Sequence, residues 1–292
     1  MTRKTSVKFF SNTAIFLLFV LTLFEFWGVI MGTKPEKGIV RSHEHFNPAL
    51  SKLNTIDRFI NYCDSMYGSS VINPSDTEQY AIIVSETLRD RFYHGYSYYG
   101  LGDNSFAYIL APFIKRDLDA IVIPDDILKH PMAACSQQSI VGMEVYKKKG
   151  ISVRKVGFFA KGYGGHFCFE AFFGGKWHFF DSDLEPQLSI MADNHFPSIS
   201  ELVQNDSLLH KIYFLKDRNL VDKLFFTYAY GPSNKFPAPR ARIFQYVTKF
   251  LSYTSWLFFI VIYLLVQKKF KYGKRKKECA ELQATLVPIV RV

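Results

Sequence analysis

The sequence predicts an α+β domain held between two membrane helices. Three observations carry that expectation: an apolar run near each end of the chain, helix-period segments through the first half of its interior, and alternating residues around a Gly-Gly turn after position 150.

The first apolar run spans Ala14 to Met31 and is interrupted only by Thr22, Glu25 and Gly28. A helix of that length covers about 27 Å, close to the roughly 30 Å hydrocarbon core of a bilayer. Basic residues precede it, but no small-x-small cleavage site follows, so an uncleaved anchor is expected. Glu25 lies near the far end and is expected to reach water beside Trp27. The second run is Phe250 to Val266, and seven basic residues follow between Lys268 and Lys277. Basic flanks of this kind stay on the cytoplasmic side. Both termini are therefore expected in the cytoplasm and the middle outside it, periplasmic or extracellular. The predicted organisation is a stub and anchor over 1–32, a linker over 33–53, an extracytoplasmic domain over 54–249 with its motif core at 131–186, a second span over 250–267 and a basic tail over 268–292.

The chain has 292 residues and a formal charge of +10, which raises the question of nucleic acid. Divided by segment, residues 32–267 hold 25 basic and 23 acidic side chains, while the tail from Lys268 alone is +6. A nucleic-acid footprint is a basic face on the folded domain, so that partner is excluded and a lipid bilayer expected in its place.

Within the domain, helices are predicted over Ile56–Met66, from a Ser75-x-x-Glu78 capping box to about Phe92, and over Asn104–Arg116. Tyr93 to Asp103 reads as a loop, as does 121–134 apart from a short turn. From Cys135 to Lys149 a further helix is expected, closed by Gly150. Strands follow at Ile151–Ala160, His166–Phe173 and Lys176–Asp181, joined by turns at Lys161–Gly165 and Gly174-Gly175. Ser198-x-x-Glu201 opens a short helix, and Leu208–Leu215 reads as one more strand.

The candidate chemistry starts at Cys135. A cysteine nucleophile acts as the thiolate, which helix N-terminal amides and a nearby imidazole favour. A free cysteine is more often a buried structural thiol, so Cys135 carries this reading only together with the hairpin. A two-residue Gly174-Gly175 turn sets Cys168 opposite Asp181 and His166 opposite Asp183, with all four on one face. His166 is diagonal to Asp181, within reach of a hydrogen bond after strand twist. A carboxylate on one imidazole nitrogen leaves the other for a thiol.

From Cys135 to about Pro186 the chain resembles the transglutaminase-like core, a branch of the papain-like cysteine enzymes. The resemblance rests on the helix-initial Cys135, the strand Gly150-Ile-Ser-Val-Arg154-Lys-Val-Gly157, the strand His166-Phe-Cys-Phe-Glu170, and Gly175-Lys-Trp177-His-Phe-Phe-Asp181. It covers about 50 of the 292 residues. It implies Cys135 as nucleophile, His166 as general base and acid, and Asp181 as the orienting carboxylate. It also implies an acyl-enzyme thioester formed on a peptide, protein or cell-envelope substrate, without a cofactor. Cys168 stands where the family has an aromatic residue, Ser182 where it has Pro, and Ala134 where it often has Trp or Tyr. The Cys135 backbone amide is a candidate oxyanion donor. An idle transglutaminase-like binding module tethered to the membrane is the alternative, and a structural subunit of an envelope assembly a third reading.

Other residues are read more plainly. Asp183 rivals Asp181 for the triad. Cys63 and Cys168 could pair in an oxidising compartment, although Cys168 reads first as a buried residue. Trp177 reads as packing under the hairpin. Cys279 is a lipidation candidate, and Asn205-Asp-Ser207 a glycosylation sequon. His43-Glu-His45 would put two imidazoles on one side of a strand but in this linker reads as an exposed polar run rather than a metal site, the acidic cluster Asp181-Ser-Asp183-Leu-Glu185 has no calcium-loop spacing, and His130, His178 and His195 have no evident partner.

Overall fold

A computed structural model describes residues 9, 12, 13, 15–21, 23, 24, 44–160 and 164–286. Half of the predicted anchor Ala14–Met31, and the turn residues 161–163, lie outside them. Contacts divide the chain into two units. One comprises Thr33–Tyr99 and Ala111–Gln245, the other Met1–Gly32, Gly100–Leu110 and Tyr246–Val292.

The helices, in chain order, are α1 (Ile56–Tyr67), α2 (Thr77–Arg91), α3 (Leu101–Ile114), α4 (Pro124–Ile127), α5 (Cys135–Lys148), α6 (Leu188–Asp193), α7 (Ile199–Gln204), α8 (Asp206–Ile212), α9 (Arg218–Phe225) and α10 (Pro239–Leu286). Short 3-10 turns occupy Pro48–Lys52 and Pro74–Asp76. The strands β1 (Ser152–Ala160), β2 (Gly164–Phe173), β3 (Lys176–Phe180) and β4 (Tyr228–Tyr230) form one antiparallel sheet in the order β3-β2-β1-β4. The protein is thus α+β.

The Gly-Gly hairpin forms as its sequence requires. Gly174 (φ +56°) and Gly175 (φ +81°) both take left-handed backbone, which side chains with a Cβ resist. The turn fixes the pairs Phe173–Lys176 through Phe169–Phe180. Phe169, Phe180 and Phe196, with Tyr146 of α5, make a buried aromatic stack with centroid spacings of 5.2–5.6 Å. Each phenylalanine withdrawn from water there contributes about 1.5–3 kcal/mol. Gly142 of α5 is where Phe169 packs against that helix, and Ser139 Oγ donates to Phe167 O at 3.0 Å.

Local signals mislead at three places. Residues 208–212 are helical, contrary to the predicted strand: Asn205 caps α8 by accepting from Leu208 N–H, and its apolar residues Leu209 and Ile212 sit three apart on one buried side. The expected capping box at Ser75 does not form, because Ser75 belongs to a 3-10 turn capped by Asn73 and α2 starts from Asp76 without a side-chain cap. Helix α3 begins three residues before its predicted start and carries a non-helical Asn104. Ser198 and Glu201, by contrast, cap α7 reciprocally as predicted.

In the other unit, Asn104 Nδ2 donates to Thr248 Oγ1 at 3.1 Å and Ser252 Oγ to Asn104 Oδ1 at 3.1 Å. Among the described residues no single helix is long and apolar enough to cross a membrane. Pro239–Ser255 and Ile260–Glu281, bent by 54°, pass that test together by length and composition.

Candidate active site

Cys135 is the first residue of α5. Its entry is built by buried polar groups that no local pattern advertises. Gln137 Oε1 accepts from Ala134 N–H (3.2 Å) and Ser97 N–H (3.0 Å), while Nε2 donates to Ser97 O and Ile121 O, both at 2.8 Å. Buried Arg91 donates to the carbonyls of Leu53, Leu128 and His130, so α2 holds the segment leading to Pro131. Burial lowers the Arg91 guanidinium to about 10, still cationic at neutral pH. These bonds leave the half-buried Cys135 at the helix N-terminus, ahead of the first backbone bonds of the helix, those of Gln137 and Gln138 N–H to Ala134 O at 2.9 Å each.

His166 and Asp181 meet at one end of the hairpin. Nε2 of His166 is 2.9 Å from Asp181 Oδ2 and 3.0 Å from Cys168 Sγ. A ring nitrogen of His166, the Cys135 sulfur and an Asp183 carboxylate oxygen all lie within 4.8 Å of one another. The carboxylate of Asp181 is saturated: Oδ2 also accepts from Tyr213 Oη (2.9 Å), and Oδ1 from the amides of Asp183 and Leu184 (3.1 Å each). Asp183 does not take the His166 position that direct cross-strand pairing suggests. Its Oδ1 pairs instead with His94 Nδ1 at 2.5 Å.

Charge follows from this wiring. Burial opposes a charged imidazole at His166, but the Asp181 carboxylate, by its charge and its hydrogen bond, raises the imidazole well above its usual 6.5. Burial likewise opposes the Asp181 anion, and the His166 charge and hydrogen bonds outweigh it, leaving the carboxyl below its usual 3.8. The pair is therefore imidazolium and carboxylate at neutral pH. Cys168, fully buried and beside that anion, is pushed well up and stays a neutral thiol. Tyr213 is raised for the same two reasons and stays a phenol donor.

The remaining motif residues have structural partners. Arg154 Nε and Nη2 both reach Glu170 Oε2, at 2.7 and 2.6 Å, and Glu170 Oε1 accepts from Ile199 N–H at 2.8 Å. The guanidinium lies between Trp177 (4.2 Å) and Tyr230 (3.7 Å), so Trp177 is a half-buried stacking wall rather than core packing. His178 bonds the carbonyls of Phe173 and Phe196 and stacks on Phe173. His195 lies 3.4 Å from Glu78, and the His130 carbonyl is an Arg91 acceptor. Cys63, Cys135, Cys168 and Cys279 are free, and Cys63 is bound to Thr87 rather than to Cys168. His45 pairs with Glu185, while His43 lies outside the described residues.

His94, Tyr96, Gln137 and Tyr213 were not legible as site residues. Tyr96 is 47% exposed, hydrogen-bonds Ser136, and is kept protonated by burial and by the neighbouring Cys135 and Asp183. Its Tyr-Gly-rich loop was the one available signal. No family model matches the chain, and no curated protein and no solved structure matches it.

Proposed function

We propose that this chain is a membrane-tethered, cysteine-dependent hydrolase or acyltransferase with a transglutaminase-like core, acting on amide or ester carbonyls of peptides, proteins or cell-envelope polymers. The observation that carries the reading is the continuous chain from Cys135 sulfur to His166 imidazole to the saturated Asp181 carboxylate. A cysteine heading a helix beside a cationic imidazole is the arrangement that favours a thiolate.

In this mechanism the Cys135 thiolate adds to the substrate carbonyl carbon, and the oxyanion formed is met by the α5 N-terminal amides. Collapse breaks the C–N or C–O bond. His166 gives its proton to the leaving group, and a thioester on Cys135 remains. Water or an amine then attacks the thioester, His166 takes the proton of that nucleophile, and the thiolate departs. Asp181 keeps its charge throughout and holds the imidazole in one tautomer, as Tyr213 and the two amides hold Asp181. The complete triad weighs against an idle binding module. Tethering is supported by the two apolar runs and by the exposed Leu257, Phe258, Val261, Leu264 and Leu265 on α10.

The test is iodoacetamide alkylation of Cys135 in the full chain, mapped by peptide mass and compared with His166→Ala. Alkylation at neutral pH that collapses in the variant is expected. An unchanged rate, or full activity of Cys135→Ala on an identified substrate, would sink the reading.

A further inference from the structure

The Cys135 sulfur has a second neighbour that the acyl-transfer reading does not use. Asp183 is 5% exposed at its side chain, yet one carboxylate oxygen lies within 4.8 Å of both the thiol and a His166 ring nitrogen. Sulfur, imidazole nitrogen and carboxylate oxygen are the donors that zinc-class ions take, with arms of about 2.0–2.3 Å. A tetrahedron with such arms separates its donors by about 3.5 Å, so side-chain movements of roughly 1 Å would close this set.

The surroundings match as well. A metal-binding imidazole is usually oriented by a carboxylate on its other nitrogen, and His166 has Asp181 at 2.9 Å. A ligating carboxylate is itself usually hydrogen-bonded, and Asp183 has His94 at 2.5 Å. Three protein donors leave a fourth position for water, as open zinc sites do. The donors come from the head of α5, from β2 and from the segment after β3, which is why no ligand spacing marks them in the sequence.

A rival cluster is weaker. Asp206, His210 and Asp222 also lie within 4.8 Å of one another, but both carboxylates are more than half exposed and Arg218 already occupies Asp206 at 3.3 Å. It offers no sulfur.

We propose that Cys135, His166 and Asp183 form a reversible site for a thiophilic divalent cation of the zinc class, that the ion displaces one proton from the His166 imidazolium and any proton on the Cys135 sulfur to solvent, and that the bound ion shields the thiol from electrophiles. The shielding as a control of catalysis rests on Cys135 being the nucleophile proposed above; the ion site itself rests on the geometry alone.

The full chain, reduced and freed of metal, would be titrated with Co2+ as a spectroscopic stand-in for Zn2+. Expected is a thiolate-to-cobalt charge-transfer band that saturates at one equivalent and is bleached by Zn2+. The band should vanish in Cys135→Ser, weaken about tenfold or more in affinity in Asp183→Asn, and persist in Cys279→Ser and Asp222→Asn. Circular dichroism melts establish that each variant is folded, and Asp183→Asn keeps the test open if Cys135→Ser is not. In the wild type, Zn2+ should slow alkylation of Cys135 and leave that of exposed Cys279 unchanged. No charge-transfer band, a band surviving in folded Cys135→Ser, or equal slowing at both cysteines would overturn the inference. The two readings fail separately. A cobalt–thiolate band together with alkylation indifferent to His166→Ala removes the enzyme reading, and the reverse pattern removes the ion site.

Discussion

His166 Nε2 lies 2.9 Å from Asp181 Oδ2, although Asp181 falls one residue beyond the last pair of the β2–β3 ladder, Phe169 with Phe180. The contact is diagonal, and its geometry is imposed from elsewhere. Tyr213 holds one oxygen of the carboxylate, and the amides of Asp183 and Leu184 hold the other. A carboxylate so fixed gives the imidazole a single low-energy orientation.

The pair should set the pH dependence of stability. A folded His166 value raised above 6.5 adds stability that is fully present below about 6.5 and lost as pH rises through the folded value. Asp181, lowered from 3.8, adds stability present above 3.8 and lost as pH falls through its folded value. Thermal midpoints of the wild type and His166→Gln, compared from about pH 5 to about pH 10, should differ most at the acid end and converge upward. A gap that does not change with pH would mean that the folded imidazole titrates no differently from the unfolded one, and a wild type that loses ground at the acid end would mean that the fold holds a neutral His166.

Arg154 should behave as a keystone of the sheet rather than as a surface cation. Arg154→Ala leaves the fully buried Glu170 carboxylate with Ile199 N–H alone, and breaking such a pair costs about 3–5 kcal/mol. Arg154→Lys keeps the charge but loses the planar stack between Trp177 and Tyr230, so an intermediate loss is expected. Arg154→Met with Glu170→Gln should recover most of the deficit. Urea midpoints decide it, and a double variant as unstable as Arg154→Ala would show that the charge is not what matters.

The parts that were legible are those set by local chemistry. Gly174-Gly175 allows one tight turn, and that turn fixes the register of every pair to Phe169–Phe180. The helix start at Cys135 follows from apolar periodicity and the Pro131 punctuation before it. What could not be read comes from chain segments distant in sequence. Tyr213 reaches Asp181 across 32 residues, His94 reaches Asp183 across 89, and Gln137 reaches Ser97 across 40. β4 is only three residues long and pairs with β1 from about 70 residues away, too short for any alternation to show. Leu208–Leu215 failed for a different reason. Its spacing suits a strand or a helix, and the Asn205 cap decided it.

Gln137 should be worth more than its burial suggests. Gln137→Ala strips the partners from the amides of Ala134 and Ser97 and from the Ile121 carbonyl, while the Ser97 carbonyl keeps Ile121 N–H at 3.0 Å. Each buried orphan costs about 1–3 kcal/mol, so a loss of at least about 2 kcal/mol is expected after partial rehydration. Gln137→Glu can still accept both amides but cannot donate, and should fall between wild type and alanine only if the acceptor half dominates. Amide exchange at Ala134 and Ser97 should accelerate in the alanine variant. Unchanged protection there would mean that other groups hold the entry to α5.

Gly142 sets two effects against each other. In a helix interior, Gly→Ala normally gains up to about 1 kcal/mol. Here the added Cβ would sit 2.7 Å from Phe169 Cζ and 3.0 Å from Leu88 Cδ1. The ring cannot swing aside, because it lies against Tyr146 and Phe180. Overpacking of that kind costs about 1–3 kcal/mol, so the clash should win and Gly142→Ala should lower the thermal midpoint. The sign is checked by a double-mutant cycle with Phe169→Leu, which removes the ring atoms the methyl meets. The double variant should be more stable than the two single losses predict, because the methyl then fills part of the space the ring vacates. Strict additivity, or a Gly142→Ala variant more stable than wild type, would mean that α5 moves freely against β2.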